Sequence, residues 1–279
     1  MFTTNPFAEL SATIPLAIMQ GYLILMIFFV VAGTLFDVIH KGSARYFFAN
    51  FKKSKDQGTP VDFGTKFGIA VKTFASDVLT SSEFCSQKRR IAHLLGMYGF
   101  ILNVVATFMM VMFYATPSVV TPAIWPKLWY IGALMVCIGG YWFWFFIRVD
   151  VSAEGSSPLK LMRADLFILS LLASNTFAVV WAYAQSVASG WTFVFLGFYL
   201  VATTVLFGSV PWSKFSHMFF KPAAAFEKKI SIANGSRNNL PEPADRTDPA
   251  VRDRHSMSLL KDAPLSMGLG IKREPPNHY

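Results

Sequence analysis

Apolar positions gather into five long runs separated by polar segments, at about residues 14–39, 91–114, 128–147, 164–186 and 191–212. Each run is long enough to cross roughly 30 Å of hydrocarbon as an α-helix. The pattern predicts an all-α membrane protein with a five-helix transmembrane bundle over residues 1–221. One segment has a different rhythm. In "GTKFGIAVKTFASDVL", Phe67, Val71, Phe74 and Val78 recur at three- and four-residue steps, and Lys66, Lys72 and Asp77 fall off that stripe. The spacing predicts an amphipathic helix over 64–80, lying on the inner membrane surface, against a partner, or over the chain's own spans. From Pro222 the apolar rhythm is lost. "NGSRNNLPEPADRTDPAVRDRH" is polar, charged and interrupted by proline, so 222–279 is expected to be a disordered cytoplasmic tail.

Composition agrees with a bilayer protein. Of 279 residues, 53% are apolar and only 15% charged, against about 25% charged in soluble domains. Aromatic clusters, "IWPKLWY" and "YWFWFF", bracket the third run as interfacial belts. The first run has no cation before it and is too long for a signal-peptide core, so it reads as a retained span.

Charge sets the expected orientation. No Lys or Arg precedes Lys41, and ten fall between Lys41 and Arg90. Only Lys127 lies between the second and third runs, and none lies between the fourth and fifth. Arg148, Lys160 and Arg163 occupy the loop between the third and fourth, and the remaining cations follow the fifth. This alternation puts the N-terminus outside and the C-terminus in the cytoplasm of a multi-pass inner-membrane protein. The net charge of +9 belongs to that topology and does not argue for nucleic acid. Cys85 and Cys137 lie at different depths and lack the clustered spacing of zinc or iron–sulfur ligands.

Histidine carries the candidate chemistry. His255 and His278 lie in the tail, and His40 follows Asp37 at the end of the first run. His93, in "KRRIAHLLGMYGF", and His217, in "PWSKFSHMFFKP", fall at matched depth on the cytoplasmic side. Two such imidazoles meet the requirement of a six-coordinate b-type haem. Gly96, one turn beyond His93, gives a porphyrin room to approach, and Arg89, Arg90 and Lys214 are placed to pair with its propionates. The alternative is a histidine that snorkels to the headgroups.

"RRIAHLLGMYGF", preceded by "SDVLTSSEF", together with "PWSKFSHMFFKP", resembles the membrane cytochrome b subunits of the nitrate reductase gamma and heterodisulfide reductase type. That family includes the membrane subunits of the Qmo and Dsr complexes. The likeness covers about residues 14–222. It implies a bundle whose second and fifth spans hold two stacked haems, with His93 and His217 matching the inner axial pair. Asn103 and Tyr199 stand where the outer pair belongs, and neither is a usual haem ligand. The resemblance thus implies at most one haem b, and the space between Asn103 and Tyr199 becomes a possible quinone cleft.

The expected function is that of a non-catalytic subunit of an oxidoreductase complex. It would anchor a cytoplasmic iron–sulfur flavoprotein, which the resemblance makes an adenylylsulfate reductase in sulfur oxidation, and link it to the quinone pool. A haem-free anchor for the same partner is the second reading. A transporter is the third, though no internal repeat or broken-helix pair speaks for it.

Overall fold

The computed structural model describes residues 2–40, 43–82, 84, 86–150, 155–213, 217–238, 240 and 248–250, and among them there are helices and no strand. In chain order the helices are α1 (Pro6–Leu10), α2 (Leu16–His40), α3 (Ser43–Gln57), α4 (Phe63–Thr73), α5 (Gln87–Phe113), α6 (Ile124–Trp142), α7 (Leu166–Ser186), α8 (Thr192–Gly208) and α9 (His217–Ala233). Wider π-helical turns extend α4 over Phe74–Leu79 and α6 over Phe143–Ile147, and a 3-10 turn, Arg163–Asp165, leads into α7. The chain divides into two compact units, Met1–Phe47 with Val71–Ala224, and Phe48–Ala70 with the described residues from Ala225 onward.

Four helices of the first unit are long and apolar enough to cross a membrane: Leu16–His40, Gln87–Phe113, Ile124–Ile147 and Leu166–Ser186. These match four of the expected runs and make a multi-pass membrane protein plausible. The fifth run is shorter than its sequence suggests. α8 has 17 residues and stops at Gly208, three residues before Pro211, whose ring disfavours helical backbone at the residue preceding it. Turns carry the chain through 209–212.

The first unit is held by two kinds of contact. α5 and α6 meet backbone to backbone. A Cβ added at Gly99 would stand 2.7 Å from the Gly132 carbonyl oxygen, and one added at Gly139 would stand 2.7 Å from that of Ala92. Small residues seven apart, Ala92 and Gly99 on one helix and Gly132 and Gly139 on the other, make this approach possible. At one end of the bundle an aromatic core follows. Trp129 and Trp181 are fully buried, Phe7 of α1 packs between them at 5.8 and 5.4 Å, and Tyr199 stacks flat on Trp181 at 5.7 Å. α1 is fixed there by Asn5, whose side chain accepts from the Phe7 N–H and donates to the Tyr114 carbonyl.

Arg148 and Asp165 join the ends of α6 and α7. The Arg148 guanidinium donates to Asp165 at 2.6 Å and lies over the Trp144 ring at 4.0 Å. Both partners are buried.

The second unit corrects the expected tail. α9 continues through Pro222 to Ala233, so the chain is not disordered from residue 222. Three alanines and the following "FEKK" favour a helix, and the far end of α9 is tied down by a partner remote in sequence. Asn234 donates to the Ser54 carbonyl at 2.8 Å, its own carbonyl accepts from the Thr59 N–H at 2.8 Å, and Ser54 meets Ser236 at 2.9 Å. α3 supplies Ser54 and has no counterpart among the expected elements. The later tail, from residue 251, lies outside the described residues. Of residues 64–80, expected as an amphipathic helix, all but Thr80 fall within α4 and its π-helical extension; Phe63, Phe67, Val71 and Phe74 are exposed there.

Candidate functional site

Two places in the first unit bear on the expected chemistry. The first surrounds His93, in the second turn of α5. Its Nδ1 lies 3.1 Å from the Ser81 hydroxyl, and the Phe84 ring lies 4.8 Å from the imidazole. Ser81 is buried and holds a left-handed backbone, φ 48°, which costs free energy in a residue other than glycine. α5 secures this turn with two further bonds. Arg90 Nε donates to the Thr80 carbonyl at 2.7 Å and the Tyr98 hydroxyl to the Leu79 carbonyl at 2.6 Å. Three residues of one helix thus hold one short segment, and His93 is one of them.

Of the other expected haem residues, Arg89 is half-buried on α5. Arg90 spends its Nε on Thr80. Gly96 has nothing within 4 Å of the position a Cβ would take, so it borders open space. His217 is the first residue of α9, but its side chain, like Lys214, lies outside the described residues. One contact brings the start of α9 towards His93: Lys221 Nζ sits 5.4 Å from the centre of the Phe84 ring, the same ring that lies against the imidazole.

The donor chemistry suits an axial ligand. A metal-binding imidazole is oriented by a hydrogen bond at its second nitrogen, and Ser81 meets Nδ1. Gly96 leaves room on the same helix. Among the described residues no three His, Cys, Asp or Glu side chains gather as a metal cluster; a two-histidine haem does not require one. His40 stacks on Phe36 at 4.8 Å. Cys137 lies 3.6 Å from the Thr176 hydroxyl. Cys85, His255 and His278 lie outside the described residues.

The second place is a cavity of about 460 Å³ among α2, α5, α7 and α8. Asn103 and Tyr199 both line it. Asn103 is anchored by donating to the Trp129 carbonyl at 3.1 Å, and Tyr199 is held by Trp181. Ile18, Ile27 and Val31 of α2, all exposed, form part of the wall, so the cavity opens at the surface of the helices. Two polar groups that sequence reasoning missed also line it, Asn175 and Thr203. Both are buried; Asn175 Oδ1 has no hydrogen-bond partner, and Thr203 Oγ1 has none in good geometry. The triplet "SNT" inside the apolar run of α7 was the available signal, since a polar side chain at membrane depth is a functional candidate by default.

In comparison with known proteins, no family model, no curated protein and no solved structure matches this chain.

Proposed function

We propose that this chain is a five-span subunit of the inner membrane, N-terminus outside, that links a lipid-soluble quinone to a cytoplasmic iron–sulfur flavoenzyme. The resemblance read from the sequence makes that partner an adenylylsulfate reductase. The observation that carries the reading is the cavity. It is apolar, it opens where α2 meets lipid, and its wall includes the Asn103 amide and the Tyr199 hydroxyl, both able to hydrogen-bond a quinone oxygen. α8, at about 26 Å for 17 residues, is short but tolerable as the fifth span. The exposed Phe63, Phe67, Val71 and Phe74 suit an apolar face lying on lipid.

In this reading His93 and His217 hold one haem b near the cytoplasmic surface, with Arg89, Arg90 and Lys214 around it. A haem would supply a one-electron centre between quinone and partner. Ser81 fixes the His93 ring, and Gly96 keeps the helix surface open. Asn103 lies ten residues along α5, about 15 Å from His93, within reach of electron tunnelling.

The test is pyridine haemochrome quantification of the protein purified from a host that supplies haem, beside quinone-linked electron transfer. One haem per chain, lost in His93→Ala, and a lower rate in Tyr199→Phe at equal protein level are the expected results. A folded preparation without haem removes the axial-ligand assignment and leaves the second reading, a haem-free anchor for the same partner. That reading is favoured by the Ser81 bond and the Phe84 contact, which engage His93 without any cofactor.

A further inference from the structure

Within the cavity, hydrogen bonding is unevenly satisfied. Most serine and threonine hydroxyls on these helices donate to a backbone carbonyl about one turn earlier, the usual arrangement in apolar surroundings. Ser170 does so to Leu166, Ser174 to Leu171, Thr107 to Asn103 and Thr204 to Leu200. Thr203, beside Thr204 and buried, does not. The Tyr199 hydroxyl, one turn earlier on α8, lies within reach of a hydrogen bond to it, but in poor geometry.

Asn175 is more specific still. Its Nδ2 donates to the Leu171 carbonyl at 2.9 Å and lies 3.4 Å from the Ser174 hydroxyl. Because the Leu171 carbonyl can only accept, the orientation of the amide is set. Oδ1 is therefore the atom left over, buried and without a donor. An acceptor in that position is costly if nothing meets it. Asn175 lies eleven residues before the end of α7 and Thr203 eleven residues after the start of α8. The two helices run antiparallel across a short connection, so the two groups stand at the same depth.

The requirement this sets is chemical. Asn175 Oδ1 accepts only, so whatever fills this level of the cavity must bring an O–H or N–H. A quinone carbonyl cannot do that, whereas the hydroxyl of a quinol donates to Asn175 and accepts from Thr203. The surrounding wall, with Met19, Met26 and Leu196, suits the apolar tail.

We infer that Asn175 and Thr203 form a head-group site that holds the reduced, hydroxyl-bearing form of the ligand, a quinol, in preference to the quinone. This rests on the reading of the cavity as a quinone site and adds its selectivity, which Asn175 sets. It makes the quinol the form that resides in the cavity, whichever way electrons flow.

The experiment uses the full chain in lipid nanodiscs and a tritiated decyl-tailed benzoquinol and benzoquinone, each in a buffer poised to keep it in that form. The wild type is expected to bind the quinol about tenfold more tightly, the effect of one buried hydrogen bond. Asn175→Ala should weaken quinol binding towards that of the quinone and leave the quinone within about twofold, whereas Thr203→Val, which removes a donor that a quinol hydroxyl and a quinone carbonyl can both accept from, should weaken both forms alike. Equal binding of both forms by the wild type, as expected if only water meets Asn175, overturns the inference while the cavity remains a quinone site. So does a preference that survives Asn175→Ala. Binding of neither form removes the cavity from the proposed function, and the inference with it. If a variant fails to fold, the wild-type comparison decides alone.

Discussion

The two sides of α5 are built on opposite terms. Towards α6 there is no space. Glycines bring the backbones into contact, and each of Gly99, Gly132 and Gly139 faces a carbonyl of the other helix closer than a Cβ can stand. Towards α2 there is a cavity of about 460 Å³. Along its 25 residues α2 buries only Met19, Met26, Gly33 and Asp37. It is attached largely by polar tethers: Gln20 donates to the Met112 carbonyl at 3.2 Å, and the Tyr22 hydroxyl to the Leu200 carbonyl at 3.0 Å. Lipid tails are as apolar as leucine, so no hydrophobic force drives helices together within a bilayer. Close packing and hydrogen bonds must do it. The α5–α6 seam uses the first along its length; α2 uses it at Gly33, which packs closely on Val210, and elsewhere relies on the second, which leaves room for a guest.

The largest expected effect tests the seam. In Gly99→Ala the new methyl meets backbone, the Gly132 oxygen at 2.7 Å and the Val136 nitrogen at 2.9 Å, and backbone cannot rotate away as a side chain does. The helices must separate, with a loss of about 3 kcal/mol read as a lower thermal unfolding midpoint of the purified protein. An unchanged midpoint would show that the seam is not a close contact.

Next comes the tether of α2. Tyr22→Phe removes one hydroxyl that meets both the Leu200 carbonyl and the Thr204 hydroxyl, each at 3.0 Å. The expected cost is about 1 kcal/mol, and its location matters more than its size. A spin label on exposed Phe28 should gain mobility, whereas one on exposed Ile138 of α6 should not. Equal responses at the two sites would make α2 part of the packed core and remove the contrast.

How much of this was legible follows from the same contrast. The long apolar runs could be read directly, because four of them need nothing beyond their own length and composition to be identified. The end of the fifth could be read only by giving Pro211 its weight. Asn103 and Tyr199 reached the candidate site through a family resemblance, and the structure places both on one cavity. The triplet "SNT" marked Asn175 as polar at membrane depth, but that Asn175 and Thr203 stand unsatisfied was not legible. A polar side chain inside a helix usually bonds its own backbone, and the sequence does not say which one fails to. The clasp of α3 on α9 was hidden for another reason. Asn234 meets Ser54 across 180 residues, and the "NGSR" segment around it has the composition of a solvated tail. Polar composition predicts disorder only when no distant partner satisfies the polar groups.

The smallest expected effect sharpens the comparison most, because it is the same substitution as the largest, moved to the loose side. Gly21 lies on α2, one residue from the tether, and a Cβ built there meets nothing within 4 Å. Gly21→Ala therefore adds a methyl to open surface. Alanine is the better helix former, by about 1 kcal/mol in water, so the change should be neutral or slightly stabilising. Measured beside Gly99→Ala in the same preparation, it separates what glycine does to a helix from what it does to a seam: one methyl, the same residue type, and opposite outcomes set by what stands opposite. A loss at Gly21 as large as that at Gly99 would mean that the outward face of α2 is packed in the membrane, against a second copy of the chain or a partner subunit. The loose side would then be an interface and not an entrance.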